Sequence, residues 1–123
     1  MNNKLKIFFL EDNINRYAPF FEWLEQKAID PHVLSAKSYR EAIEIFKDNK
    51  EFDVIFLDHD LGGKVFIDSR KENTGYTVAK YILNNNIKYE QCIIHSQNPA
   101  GANNIQSILK DAIKLPFPIL IKS

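Results

Sequence analysis

At 123 residues, with sixteen Lys and Arg against sixteen Asp and Glu, the chain has room for one domain, taken as 1–123, and no net charge that would spread it over nucleic acid or anionic lipid. Its longest apolar run, Leu115 to Ile121, is far short of the roughly 20 residues a membrane helix needs, and Pro116 and Pro118 interrupt it. The opening MNNKLKIFFLED lacks the pattern of a secretory signal, and the single Cys92 has no internal partner, so the cytoplasm is the expected location.

Ile7 to Leu10 is a short continuous apolar run, a form that suits a strand buried on both faces of a parallel sheet. A helix follows, capped by Asn13 or Asn15, with Tyr17, Phe21, Leu24 and Ala28 on its inner face and Phe20 and Trp23 partly off it. His32 to Ala36 reads as the second strand, with His32 solvated. Ser38 and Glu41 then fit a capping box ahead of Ala42, Ile43 and Phe46. Val54 to Leu57 is the third strand. The segment 62–73 is a long loop of the kind that covers a site, and Asn73-Thr74-Gly75 opens a helix through Val78, Ala79, Ile82 and Leu83 that Asn84 to Asn86 close. Ile93-Ile94 marks the fourth strand, Ile105, Ile108, Leu109 and Ala112 the fourth helix, and Pro118 to Lys122 the fifth strand. Such alternation predicts an α/β fold of three layers, a doubly wound parallel sheet ordered 2-1-3-4-5.

Sheets of this kind bind ligands beyond the carboxyl ends of their strands, where the strand order reverses. The first strand ends in Glu11-Asp12, the third in Asp58-His59-Asp60 and the fourth in His95-Ser96-Gln97-Asn98, whereas the opposite rim has no comparable cluster. One aspartate after a strand is a common turn or cap residue. Three acid- or histidine-bearing tips on one rim point instead to a site. Gly62, Gly63 and Gly101 permit close backbone approach to a ligand, and the small residues from Pro99 to Asn104 lead into a helix whose start would hold phosphate.

The acid pair and Asp58 resemble the receiver domains of two-component signalling, in which the pair binds a divalent ion and the aspartate takes a phosphoryl group. The lysine those domains carry after the fifth strand would be Lys122 or Lys114, and their last helix has no counterpart in the sequence. A closer resemblance is to the cyclic-phosphate processing receiver domain, carried by Phe9 to Asp12, Leu57 to Gly63, Thr74-Gly75 and Ile94 to Asn103. It implies a small-molecule cyclic phosphate of a nucleotide type as substrate, and a phosphodiesterase activity.

Opening a cyclic phosphate needs a base for water and an acid for the leaving oxygen, roles that His59 and His95 would divide, with Asp58 or Asp60 orienting a ring. Gly62, Gly63, Ser96, Asn98, Gly101 and Asn103 would hold the phosphate, and Glu11, Asp12 and Asp58 would bind Mg²⁺ or Mn²⁺ to polarise it. Two other readings stand beside this one: a signalling receiver phosphorylated on Asp58, and a phosphate- or nucleotide-binding module without catalysis. The sequence leaves the oligomeric state open.

Overall fold

The computed structural model describes residues 4–27, 30–61, 68 and 70–115. Five parallel strands form one sheet in the expected order 2-1-3-4-5: β1 (Leu5–Leu10), β2 (Pro31–Ala36), β3 (Glu51–Leu57), β4 (Lys88–Ile94) and β5 (Ile113–Lys114). The helices that join them are α1 (Tyr17–Gln26), α2 (Tyr39–Asp48), α3 (Gly75–Asn84) and α4 (Pro99–Ile108), and a short 3₁₀ turn at Ile14–Arg16 precedes α1. Successive residues of a strand point to opposite faces of the sheet. Phe8, Leu10, Ile55, Leu57, Cys92 and Ile94 accordingly join the core shared with residues of α2, α3 and α4, and Ile7, Phe9, Phe56 and Ile93 pack with Phe20 and Leu24 of α1.

Local chemistry sets the helix starts. Asn13 accepts the Asn15 amide and caps the 3₁₀ turn, Ser38 accepts the Glu41 amide at 3.2 Å, and Thr74 accepts the Thr77 amide at 3.3 Å. The Glu41 carboxylate answers to the Lys37 amide at 2.8 Å, one residue earlier than in an ordinary capping box.

The helical phase of α1 differs from the expected one. The 3₁₀ turn delays entry into the α-helix and turns Phe20 inward, where it is fully buried and stacks on Phe9 at 3.9 Å, while Phe21 is 42% exposed. Trp23 lies half-buried against the same cluster, and Ala28 is outside the described residues. Leu83, expected inside with Ile82, is 51% exposed because it falls a third of a turn beyond the stripe formed by Val78, Ala79 and Ile82. The fifth strand also forms earlier than expected. A tight turn from Leu109 to Ala112 returns the chain to β4 at Ile113, and the Leu115 amide continues the pairing by donating to Ile94. Pro118 to Lys122 lie outside the described residues, as do Gly62 and Gly63.

Candidate functional site

The register brings the strand tips level. Leu10 lies opposite Leu57, and Leu57 opposite Ile94, so the next residues, Glu11, Asp58 and His95, are adjacent across the sheet. Backbone bonds extend the ladder to these tips: Asp58 donates to Leu10 at 3.2 Å, His95 to Leu57 at 2.9 Å and Glu11 to Ala36 at 3.0 Å. Alternation then divides the rim. Glu11, Asp58 and His95 take the α1 side, and His59 the α4 side.

On the α1 side, carboxylate oxygens of Glu11, Asp12 and Asp58 lie within 4.8 Å of one another. Glu11 is fully buried, and Asp58 is 4% exposed. The Glu11 carboxylate accepts the Asn13 amide at 3.0 Å and Arg16 Nη1 at 3.3 Å, and its Oε1 lies 3.4 Å from His95 Nδ1. Two such acids side by side disfavour ionisation. Burial, then the charge of Glu11, pushes Asp58 up to about 8, with Arg16 and the His59 amide pulling the other way. Burial likewise raises Glu11, against the Asn13 amide and Arg16.

His95 is enclosed on this side. Its Nε2 faces the Leu10 carbonyl at 3.2 Å and its ring lies 5.4 Å from that of Phe9. Burial and then Arg16 push it down to about 3, so the ring is neutral at pH 7. Its ring has no exposed surface, and its Nδ1 faces the Glu11 carboxylate.

His59 is also fully buried but belongs to a separate network. Its Nδ1 lies 2.8 Å from Asp60 Oδ1, Asn98 Nδ2 donates to that oxygen at 3.0 Å, and Asn98 Oδ1 caps α4 by accepting the Gly101 amide at 3.0 Å. Ser96 Oγ accepts the Asn98 amide at 3.1 Å. Gly101 is required here: a Cβ on it would stand 2.3 Å from Cγ of the His59 ring. Gly75 is fixed as firmly, since a Cβ there would meet the Asp58 carbonyl oxygen at 1.8 Å. Asp60 completes the join by bridging to Thr74.

The structure therefore brings Glu11, Asp12, Asp58 and His95 together in one group and His59, Asp60, Ser96, Asn98 and Gly101 in another. Asn103 is exposed on α4, and its amide oxygen accepts Lys114 Nζ at 2.6 Å. That bond turns Lys114 toward α4. Sequence reasoning passed over two residues of the first group, Arg16 and Tyr17, whose hydroxyl donates to the Glu11 carbonyl at 2.7 Å. Arg16 is the N-cap of α1, where the helix dipole disfavours a cation unless acids lie nearby, and Glu11 is such an acid.

The donor set fits a divalent cation. Three carboxylates supply hard oxygen ligands of the kind Mg²⁺ and Mn²⁺ prefer, and the cation would offset the burial and the Glu11 charge that together raise Asp58. An acid pocket at the switch point of a 2-1-3-4-5 sheet defines a receiver-type domain. The sequence profile of the cyclic-phosphate processing receiver domain matches residues 7–111, and the chain belongs to that family. No curated protein matches it in sequence.

Solved structures share the fold. The phosphorylated cyanobacterial phytochrome response regulator RcpA is 18% identical, with a TM-score of 0.71 over 97% of this chain and 85% of that one. A CheY-like receiver domain from Methylobacillus flagellatus is 17% identical, with a TM-score of 0.67 over 98% and 92%. A Francisella response-regulator receiver domain is 22% identical, with a TM-score of 0.64 over 97% and 92%. Among the described residues no helix is long and apolar enough to cross a membrane.

Proposed function

We propose that this receiver domain binds a divalent cation at Glu11, Asp12 and Asp58 and accepts a phosphoryl group on Asp58. The observation that carries the reading is the convergence of the three carboxylates on adjacent strand tips, with Asp58 beside the acid pair. The cation, once bound, would offset the charge of the pocket and of the phosphoryl oxygens.

The residues of the chain supply the rest. Asp58 presents one carboxylate oxygen to phosphorus, while its Oδ1 stays aligned by the His59 amide at 2.8 Å. A bound cation would displace the proton held on Asp58 to solvent; with an acyl phosphate as donor, the new bond then joins an Asp58 oxygen to phosphorus as the donor's phosphorus–oxygen bond breaks, and the donor leaves as a carboxylate. No proton need be supplied to that leaving group. A neutral, enclosed His95 suits this chemistry, because the transfer asks no acid or base of it. Incubation with acetyl phosphate and Mg²⁺, followed by intact-mass spectrometry, should add one phosphoryl group, and Asp58→Asn should add none. Absence of the adduct on the unsubstituted chain would overturn the reading.

The family description favours a second reading, turnover of a cyclic phosphate at the same rim. Asp60, Ser96, Asn98 and the start of α4 would then hold the phosphate, and His59, linked to Asp60, would be its acid or base after α4 moves aside. Phosphorus NMR of nucleoside 2′,3′-cyclic phosphates with the protein and Mg²⁺ tests it: a new monoester resonance supports turnover, and an unchanged spectrum opposes it.

A further inference from the structure

We propose that Arg16 is the residue that grips the phosphoryl oxygens at this rim, exchanging its contact with Glu11 for them once a divalent cation sits among the carboxylates. The inference rests on the phosphoacceptor reading of Asp58 and assigns a function to a side chain that neither reading of the rim uses.

Charge is the first ground. Three carboxylates and one divalent cation leave one negative charge in the pocket, and a phosphoryl group adds more. A cation of the protein must face the incoming oxygens. Of the two lysines expected on the far side, Lys122 lies outside the described residues and Lys114 reaches Asn103 on α4 at 2.6 Å. Arg16 lies on the correct side, its Nη1 3.3 Å from the Glu11 Oε1 that itself stands 3.4 Å from His95 Nδ1.

Position is the second ground. Arg16 stands where the 3₁₀ turn meets α1, with its side chain 23% exposed beside a Glu11 carboxylate that is fully enclosed. One end of the guanidinium thus borders the pocket, and the side chain also reaches the surface, where a ligand arrives. Its Nη1 stands 3.3 Å from Glu11 Oε1, the contact that phosphoryl oxygens would replace. Glu11 keeps the Asn13 amide at 3.0 Å when Arg16 turns away. The guanidinium fork matches two phosphoryl oxygens at once, which a lysine ammonium does not.

The test compares Mg²⁺ alone with beryllofluoride plus Mg²⁺, a tetrahedral stand-in for the phosphoryl group, on the unsubstituted chain, Arg16→Gln and Arg16→Lys. Trp23 fluorescence follows the metal and fluorine NMR follows beryllofluoride. Arg16→Gln should bind Mg²⁺ at least as tightly as the unsubstituted chain, because a competitor for Glu11 is gone, and should bind beryllofluoride about 10- to 100-fold more weakly. Arg16→Lys keeps the charge over Glu11 and should fall between the two. It carries the comparison if thermal unfolding shows Arg16→Gln to be unfolded. Beryllofluoride affinity unchanged in both variants overturns the assignment, as does an equal loss of Mg²⁺ and beryllofluoride, which would make Arg16 a part of the metal pocket only. If the unsubstituted chain takes up no beryllofluoride, the phosphoacceptor reading falls and Arg16 with it; if that chain binds and the variants bind equally, Arg16 alone falls.

Discussion

Replacing Asp58 by asparagine should change how stability depends on pH in a way that identifies the strained acid. In the folded chain Asp58 holds its proton up to about pH 8, against an ordinary value of 3.8, chiefly through burial and then through Glu11. His95 is shifted oppositely, from 6.5 to about 3 by burial. Stability rises with pH where the unfolded state binds more protons and falls where the folded state does. From about pH 4 to 6.5 the two groups oppose each other, since folded Asp58 keeps a proton that the unfolded chain has lost, and unfolded His95 carries one that the folded chain refuses. Above pH 6.5 the unfolded histidine gives up its remaining half proton, so its opposition fades and the carboxylates dominate. The Asp58 slope approaches about 1.4 kcal/mol per pH unit, and the metal-free protein should lose about 1 kcal/mol between pH 6.5 and 8.

The asparagine side chain would keep an oxygen for the His59 amide and carry no charge, so Asp58→Asn should flatten this slope and raise stability most at pH 8. Saturating Mg²⁺ should offset the same loss in the unsubstituted chain. Urea unfolding at half-unit pH steps in a chelating buffer measures it. A flat or rising profile for the unsubstituted chain over this window, or an identical slope in Asp58→Asn, refutes the assignment of the strained charge.

Packing and close approach give further expectations. Phe20→Ala should cost about 3–5 kcal/mol by opening a cavity beside Phe9, whereas Phe21→Ala should stay within about 1 kcal/mol, both read by urea unfolding. Gly101→Ala should displace the His59 ring, shifting its imidazole NMR signals and lowering the unfolding midpoint, and Gly75→Ala should be worse because the obstacle is the Asp58 backbone. Equal midpoints for Gly101→Ala and the unsubstituted chain would show that the ring has room to move.

Much of the fold was legible because strands buried on both faces are short apolar runs and because Ser38 and Thr74 have the chemistry of helix caps. The rim was legible too, since Glu11-Asp12, Asp58 and His95 each follow the last apolar residue of a strand. What the sequence hid was phase. A 3₁₀ turn of three residues exchanged Phe20 for Phe21, and neither composition nor periodicity marks such a turn. The division of the two histidines into separate networks has a similar origin. His59 follows Asp58 by one residue and so faces the other side, a consequence of pleat and register that emerges only when Leu57 is set against both Leu10 and Ile94. The fifth strand was misplaced because Ile113-Lys114 is too short and too polar to stand out, and its pairing with Ile93 and Ile94 decides it. Arg16 escaped notice because its meaning depends on a buried partner five positions earlier.

The most direct test of the account is phosphoryl uptake at Asp58. The purified chain, given acetyl phosphate with and without Mg²⁺, is analysed by intact-mass spectrometry and the modified residue located by peptide fragmentation after borohydride trapping. The account predicts one phosphoryl group, dependent on Mg²⁺ and located at Asp58. No adduct, or an adduct formed equally without the cation or at another residue, would contradict it.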